Sequence, residues 1–142
     1  MVDDQKGKID KETGALRVRR NEYFKSETNE GNETAWSYLQ ANQDIYGINT
    51  SLDNIRLVKS LKSPAGVYFY FRQYIHDIPV YATKFTVYVN NNGIVKYALN
   101  EFRNIDKYRN IANSPLINAN RALEITYKYL NIRESYIRGQ YL

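Results

Sequence analysis

Between Ile55 and Phe102 apolar side chains recur at every second position, and three turn signals cut this stretch into four pieces. A period of two belongs to extended chain, in which successive side chains point to opposite faces. The breaks are Ser63-Pro64-Ala65-Gly66, His76-Asp77-Ile78-Pro79 and Asn90-Asn91-Asn92-Gly93. The last is the strongest, because Asn and Gly tolerate positive φ. Strands are therefore predicted over residues 55–62, 67–75, 80–89 and 94–102. In the second, Val67, Phe69 and Phe71 share one face, while Tyr68, Tyr70, Arg72 and Tyr74 share the other. In the third, Tyr81, Phe85, Val87 and Val89 mostly share a face. Four consecutive strands with short links predict an antiparallel meander, which needs a helix or a second layer over its apolar side.

The cover is predicted upstream. Trp36, Leu39, Gln43 and Tyr46 fall on one helical stripe with Ala35 and Asn42 beside it, so a helix is expected over residues 33–46. Asn32 is placed to cap it and Gly47 to end it. Its Trp36 face should lie on the sheet. Still earlier, Ile9 to Val18 reads as a hairpin around Lys11-Glu12-Thr13-Gly14, with Leu16 and Val18 on one face and Arg17 and Arg19 on the other. Residues 1–8 read as a polar tail and residues 25–32 as a loop. Downstream, 103–117 reads as a linker. Asn118 should cap a second helix in which Ala119, Ala122, Leu123, Thr126, Tyr127 and Leu130 recur at helical spacing. Residues 133–142 could begin another strand. The fold class is thus α+β: a four-stranded meander packed by an N-terminal helix, plus a C-terminal helix opening a second module.

Composition narrows the function. The chain has 142 residues and no cysteine, which removes disulfides, thiolate metal sites and cysteine nucleophiles together. Its one histidine, His76, cannot build a multi-histidine site and reads as a turn residue. No run of 18 apolar residues occurs, so no membrane span is expected. The net charge of +5 is spread thinly along the chain, whereas a nucleic-acid binder concentrates its cations. The densest cluster, Arg17, Arg19 and Arg20, sits between Glu12 and Glu22 and reads as solvated surface. Pairs such as Asp77 and Glu101 form no recognisable catalytic constellation. Asn32-Glu33-Thr34 and Asn49-Thr50-Ser51 carry the glycosylation pattern, which has meaning only in a eukaryotic secretory pathway. Fourteen tyrosines could make a surface for proteins or sugars, but they are read first as strand residues with one side against a core.

Residues 70–93 resemble the FTP domain, the propeptide module of fungalysin and thermolysin precursors. That family shows a Gln-Tyr pair, then Gly-Ile-Pro-Val-Tyr-Gly, an apolar strand and an Asn/Asp-Gly turn. Gln73-Tyr74, Ile78-Pro79-Val80-Tyr81 and Asn92-Gly93 match in order and spacing. Residues 41–48 are similar to the end of the family's first helix, and Asp10-Lys11-Glu12-Thr13-Gly14 to a short turn ahead of the domain. The stretch from Asn118 resembles the start of a PepSY domain. Asp77 and Ala82 depart from the pattern, each standing where the family favours Gly.

The resemblance implies a polar tail over 1–8, an FTP-like domain over 9–105, and a linker with a truncated PepSY-like start over 106–142. It further implies a non-catalytic piece of a secreted or cell-envelope precursor, whose own signal peptide is not in this chain. The implied roles are intramolecular chaperone and inhibitor of a zinc metalloprotease catalytic domain of the same precursor. Zinc would belong to that partner, and no cofactor to this chain; no nucleic acid is implied. Tyr68, Tyr70, Arg72 and Tyr74 are the expected contact set. The competing reading is a stand-alone extracellular module binding peptides, proteins or glycans through the same tyrosines.

Overall fold

The alternation from Ile55 onward does produce paired strands, and the sheet then extends beyond them. The computed structural model describes residues 7–28, 30–48, 51–108, 110 and 114–131. In chain order its elements are β1 (Gly7–Ile9), β2 (Leu16–Lys25), α1 (Gly31–Ala41), β3 (Ile55–Ser63), β4 (Gly66–Ile75), β5 (Ile78–Pro79), β6 (Phe85–Asn90), β7 (Ile94–Asn100) and α2 (Ala119–Leu130). The spatial order is β1-β2-β7-β6-β4-β3, with β5 pairing only to β4. All pairings are antiparallel. The predicted meander is therefore β3-β4-β6-β7. The predicted hairpin is not separate from it: β2 pairs with β7 and continues the sheet, so there are more than four strands. Residues 7 and 8, read as tail, lie in β1.

Three boundaries moved for local reasons. The third strand begins at Phe85 rather than at residue 80, because Ala82 holds φ +53° and the Thr83 hydroxyl donates to the Val80 carbonyl at 3.0 Å. Tyr81 is consequently 93% exposed and shares no face with Phe85, which is fully buried. The first helix starts at Gly31 with Glu30 at its cap position, so Asn32 lies inside it. That helix also ends early. The Asn42 side-chain amide donates to the Tyr38 carbonyl at 2.7 Å, taking an acceptor the next helical N–H would need. Residues 42–47 then turn, with Gly47 at φ +62°.

The core lies between α1 and one face of the sheet, and α1 packs across β6, β7, β2 and β4. From the helix come Thr34, Ala35, Tyr38 and Leu39. From the sheet come Ile55, Phe69, Phe71, Phe85, Val87, Val89, Val95 and Ala98. Tyr46, Ile48 and Phe102 close the ends. Burying an aromatic ring of this kind is worth about 1.5–3 kcal/mol in transfer free energy. Trp36, expected to lead the helical face, is only half-buried and meets the Phe71 ring at 5.6 Å. Tyr38 holds the central place instead. Its hydroxyl is hydrogen-bonded to that of Tyr46 at 2.6 Å, and burial pushes it up to about 12. Burial likewise raises Tyr46.

Buried polar side chains lock the strand ends. Asn100 donates to the carbonyls of Leu16 at 3.0 Å and Tyr46 at 2.9 Å, and accepts from the Phe102 N–H at 3.0 Å. Gln73 donates to the Arg103 carbonyl and accepts from the Arg103 N–H, both at 2.9 Å. Phe102 and Ile105 are buried, so residues 102–105 belong to the packed structure rather than to a linker. Two of the three clustered arginines also work structurally. Arg17 pairs with Asp10 at 3.0 Å and donates to the Phe102 carbonyl at 2.9 Å. Arg19 pairs with Glu22 at 2.6 Å and reaches Asn42 at 3.3 Å.

The chain divides into two units, Met1–Asn110 and Ile111–Leu142. In the second, the Asn118 side chain caps α2 as predicted, accepting from the Arg121 N–H at 2.8 Å. Asn131, at φ +52°, ends it. Among the described residues no helix is long and apolar enough to cross a membrane. The strand expected over 133–142 and the second glycosylation pattern at Asn49 lie outside the described residues.

Candidate functional site

With α1 on one side, the sheet has a second face that the helix does not cover. Strand alternation sends Tyr68, Tyr70, Arg72 and Tyr74 to it, opposite Phe69, Phe71 and Gln73. The four residues expected to form a contact set thus do share a face. The register then shows what the sequence could not. Leu61 lies across from Tyr68, Tyr68 from Tyr88, Tyr88 from Tyr97, and Tyr97 from Arg20. One row therefore runs over five strands with three tyrosines at its centre. A second row reads Lys59, Tyr70, Thr86, Leu99, Val18 and Lys8. Beyond it, Arg56 stands across from Arg72.

The rings in this face pack on one another. Tyr68 and Tyr88 meet at 4.6 Å between centroids with a 35° tilt, and Tyr68 and Tyr70 lie stacked at 6.5 Å. A cross-strand aromatic pair such as Tyr68 with Tyr88 contributes roughly 0.2–1 kcal/mol. Thr86 is 5% exposed beneath them, and its hydroxyl oxygen has no hydrogen-bond partner among the described residues. Arg56 stacks on the Tyr74 ring at 4.5 Å and pairs with Asp77. At the end of the face nearest the N-terminal hairpin is a hollow of about 900 Å³, lined in part by Lys8, Val18, Ala82, Leu99 and Glu101. Lys84 and Glu101 neutralise each other there at 3.1 Å.

The quoted motif residues occupy the turn that shapes one edge of this face. His76 and Asp77 both have positive φ, +49° and +65°, and Ile75 pairs with Ile78 across them. This is the geometry of a two-residue hairpin turn that matches strand twist. The Val80 N–H donates to the Gln73 carbonyl at 2.9 Å. Pro79 sits opposite Tyr74, and Ile78 is 53% exposed, so neither fills the core. At the far end, Asn90 Oδ1 accepts from the N–H groups of Asn92 and Ile94, and Gly93 turns the chain at φ +73°. The two departures from glycine, Asp77 and Ala82, are both positive-φ positions. An L-residue there costs about 1–2 kcal/mol, which gives a physical reason for glycine at such places.

Residues 53–102 match the family model described as the Fungalysin/Thermolysin Propeptide Motif. The match spans about a third of the chain. The matched stretch covers β3 to β7, the strands that supply most of the tyrosine rows. It is a motif of propeptides and not a catalytic domain. No solved structure matches the chain. Among the described residues, no group of three or more His, Asp or Glu side chains could hold a metal ion.

Sequence reasoning missed Tyr88, Tyr97, Arg20, Arg56 and Lys59. Tyr88 was recoverable, since it alternates with Val87 and Val89. Tyr97 was not, because a register shift between Tyr88 and Val89 displaces its strand partner. Arg20 reaches the face only through the long-range pairing of β2 with β7, and Lys59 through a register shift between Leu57 and Lys59. The cation on the Tyr74 ring is Arg56.

Proposed function

We propose that the chain is a non-catalytic propeptide module of a secreted zinc metalloprotease precursor. It serves as an intramolecular chaperone and inhibitor of the catalytic domain, which alone carries the zinc. The single observation that carries this reading is the match of residues 53–102 to the propeptide motif, over the strands that build the tyrosine face. The mechanism is mass action. A rigid sheet that binds the native or near-native catalytic domain, and not its unfolded chain, lowers the free energy of the folded state. A standard protein interface buries on the order of 1,600 Å² in total, which suits a face spanning five strands. Tyr68, Tyr70, Arg72 and Tyr74 belong to that interface. The PepSY-like stretch from Asn118 continues the precursor toward the catalytic domain, so inhibition by the present chain alone is weak.

The test is refolding of the catalytic domain of the same precursor with this chain added in trans. A higher yield of active protease is expected, with partial inhibition at micromolar chain. No gain in yield together with no inhibition would remove the reading. The tyrosine rows also favour a second reading, a stand-alone extracellular module for peptides, proteins or glycans; a gene that stops after Leu142 favours it, and one that continues into a metalloprotease domain favours the first.

A further inference from the structure

The uncovered face is cationic as well as aromatic, and its charges are poorly compensated. Arg56 and Arg72 are direct cross-strand partners. Like charges in that position repel, and a free-standing sheet gains nothing from them. Asp77 answers Arg56. Arg72, Lys59 and Arg20 have no ion pair among the described residues. Elsewhere in the same unit the arginines that stabilise the fold, Arg17 and Arg19, each hold a carboxylate. No Asp or Glu occupies a paired strand position in either tyrosine row.

We propose that this face docks an acidic polypeptide surface, with partner carboxylates meeting Arg72, Lys59 and Arg20 around the packed tyrosines. The proposal rests on the reading above that the module covers another polypeptide, and it adds the partner's chemistry. Charge complementarity of this kind steers encounter and fixes register more than it adds bulk affinity. The rings favour a polypeptide over a nucleic acid. Tyr68 packs on Tyr88 and stacks with Tyr70, so part of their ring surface is taken up within the sheet face, whereas base binding needs open ring faces.

The test follows amide resonances of the full chain during titration with four probes. These are a peptide alternating Glu and Leu, the same peptide with Gln for Glu, a single-stranded oligothymidine, and the catalytic domain of the same precursor. The Glu peptide should shift signals in β3, β4 and β6 around Lys59, Tyr70 and Arg72, and the Gln peptide should bind at least tenfold more weakly. The double variant Lys59→Glu/Arg72→Glu should lose at least tenfold in affinity for both the Glu peptide and the catalytic domain. Arg121→Glu, in the second unit, should lose less than twofold. Lys59→Ala/Arg72→Ala, which adds no repulsion, stands in if the reversal disturbs folding, with a loss of at least threefold expected.

Equal binding of the Glu and Gln peptides, tighter binding of oligothymidine, or charge variants within twofold of the parent would overturn the inference. If the catalytic domain does not bind while the Glu peptide does so at this face, the propeptide reading falls and the inference stands. If the catalytic domain binds and the charge variants leave its affinity unchanged, the reading stands and the inference falls.

Discussion

The two faces of one sheet use the same ring chemistry for opposite ends. On the helix side, Phe24 meets Tyr38 at 5.4 Å and Tyr46 meets Phe85 at 4.8 Å, both edge to face. The hydroxyls of Tyr38 and Tyr46 satisfy each other, so burial leaves no polar atom stranded there. On the other side the rings lie half-buried in cross-strand rows, with Arg20 at one end of the first row and Lys59 and Lys8 at the ends of the second. The first arrangement lowers the free energy of the fold. The second leaves cationic charge unspent. Aromatic content alone therefore says little about function; what separates the faces is whether polar groups find partners inside the molecule.

The comparison breaks most visibly under truncation. Phe85→Ala on the helix side should cost about 3–5 kcal/mol, while Tyr88→Ala, three positions along the same strand, should cost about 1 kcal/mol, in line with a cross-strand pair. Denaturant midpoints of the two variants measure the difference, and equal losses would mean that both faces are core. Next in size is Asn100→Ala, which strands the carbonyls of Leu16 and Tyr46 and the Phe102 N–H. A loss of about 2–3 kcal/mol is expected, with faster amide exchange at Leu16 and Phe102.

Threonines give a finer contrast. Thr34 on the helix side shares a 2.9 Å hydrogen bond with Ser26, whereas the Thr86 hydroxyl has no partner among the described residues. Thr34→Val should destabilise by about 1 kcal/mol. Thr86→Val keeps the shape and removes a stranded polar group, so it should be neutral or stabilising by up to about 1 kcal/mol. A thermal melt of each decides it.

The smallest effect is at acid pH. The N–H of Thr13 and then the Arg17 guanidinium hold the Asp10 carboxyl down at about 2, against an ordinary 3.8. A depressed carboxyl contributes stability above its unfolded value, and that contribution is lost as pH falls from about 3.8 toward 2. Asp10→Asn should flatten this part of the stability profile and leave the unfolding midpoint at pH 7 lower than in the parent chain.

Much of the architecture was legible. Period two from Ile55, the Asn90–Gly93 turn and the Asn118 cap are local signals, and each produced the element expected of it. Boundaries slipped where a side chain competed with the backbone, as Asn42 does at the end of α1, or where a residue took positive φ, as Ala82 does before β6. Trp36 was overrated for a similar reason. Its size suggests a core anchor, but which helical residue faces the sheet depends on the approach of the whole helix, and Tyr38 took that place.

By itself the sequence determined the two faces of β4 and the presence of a turn at His76 and Asp77, because alternation and turn chemistry act over a few neighbouring residues. Only the tertiary structure decided that β2 joins β7, that Tyr68, Tyr88 and Tyr97 line up, and that Arg56 faces Arg72. Those facts depend on register between strands, and for β2 with β7 on register between segments far apart in the chain. Register is set by the buried face as a whole, so no single residue announces it.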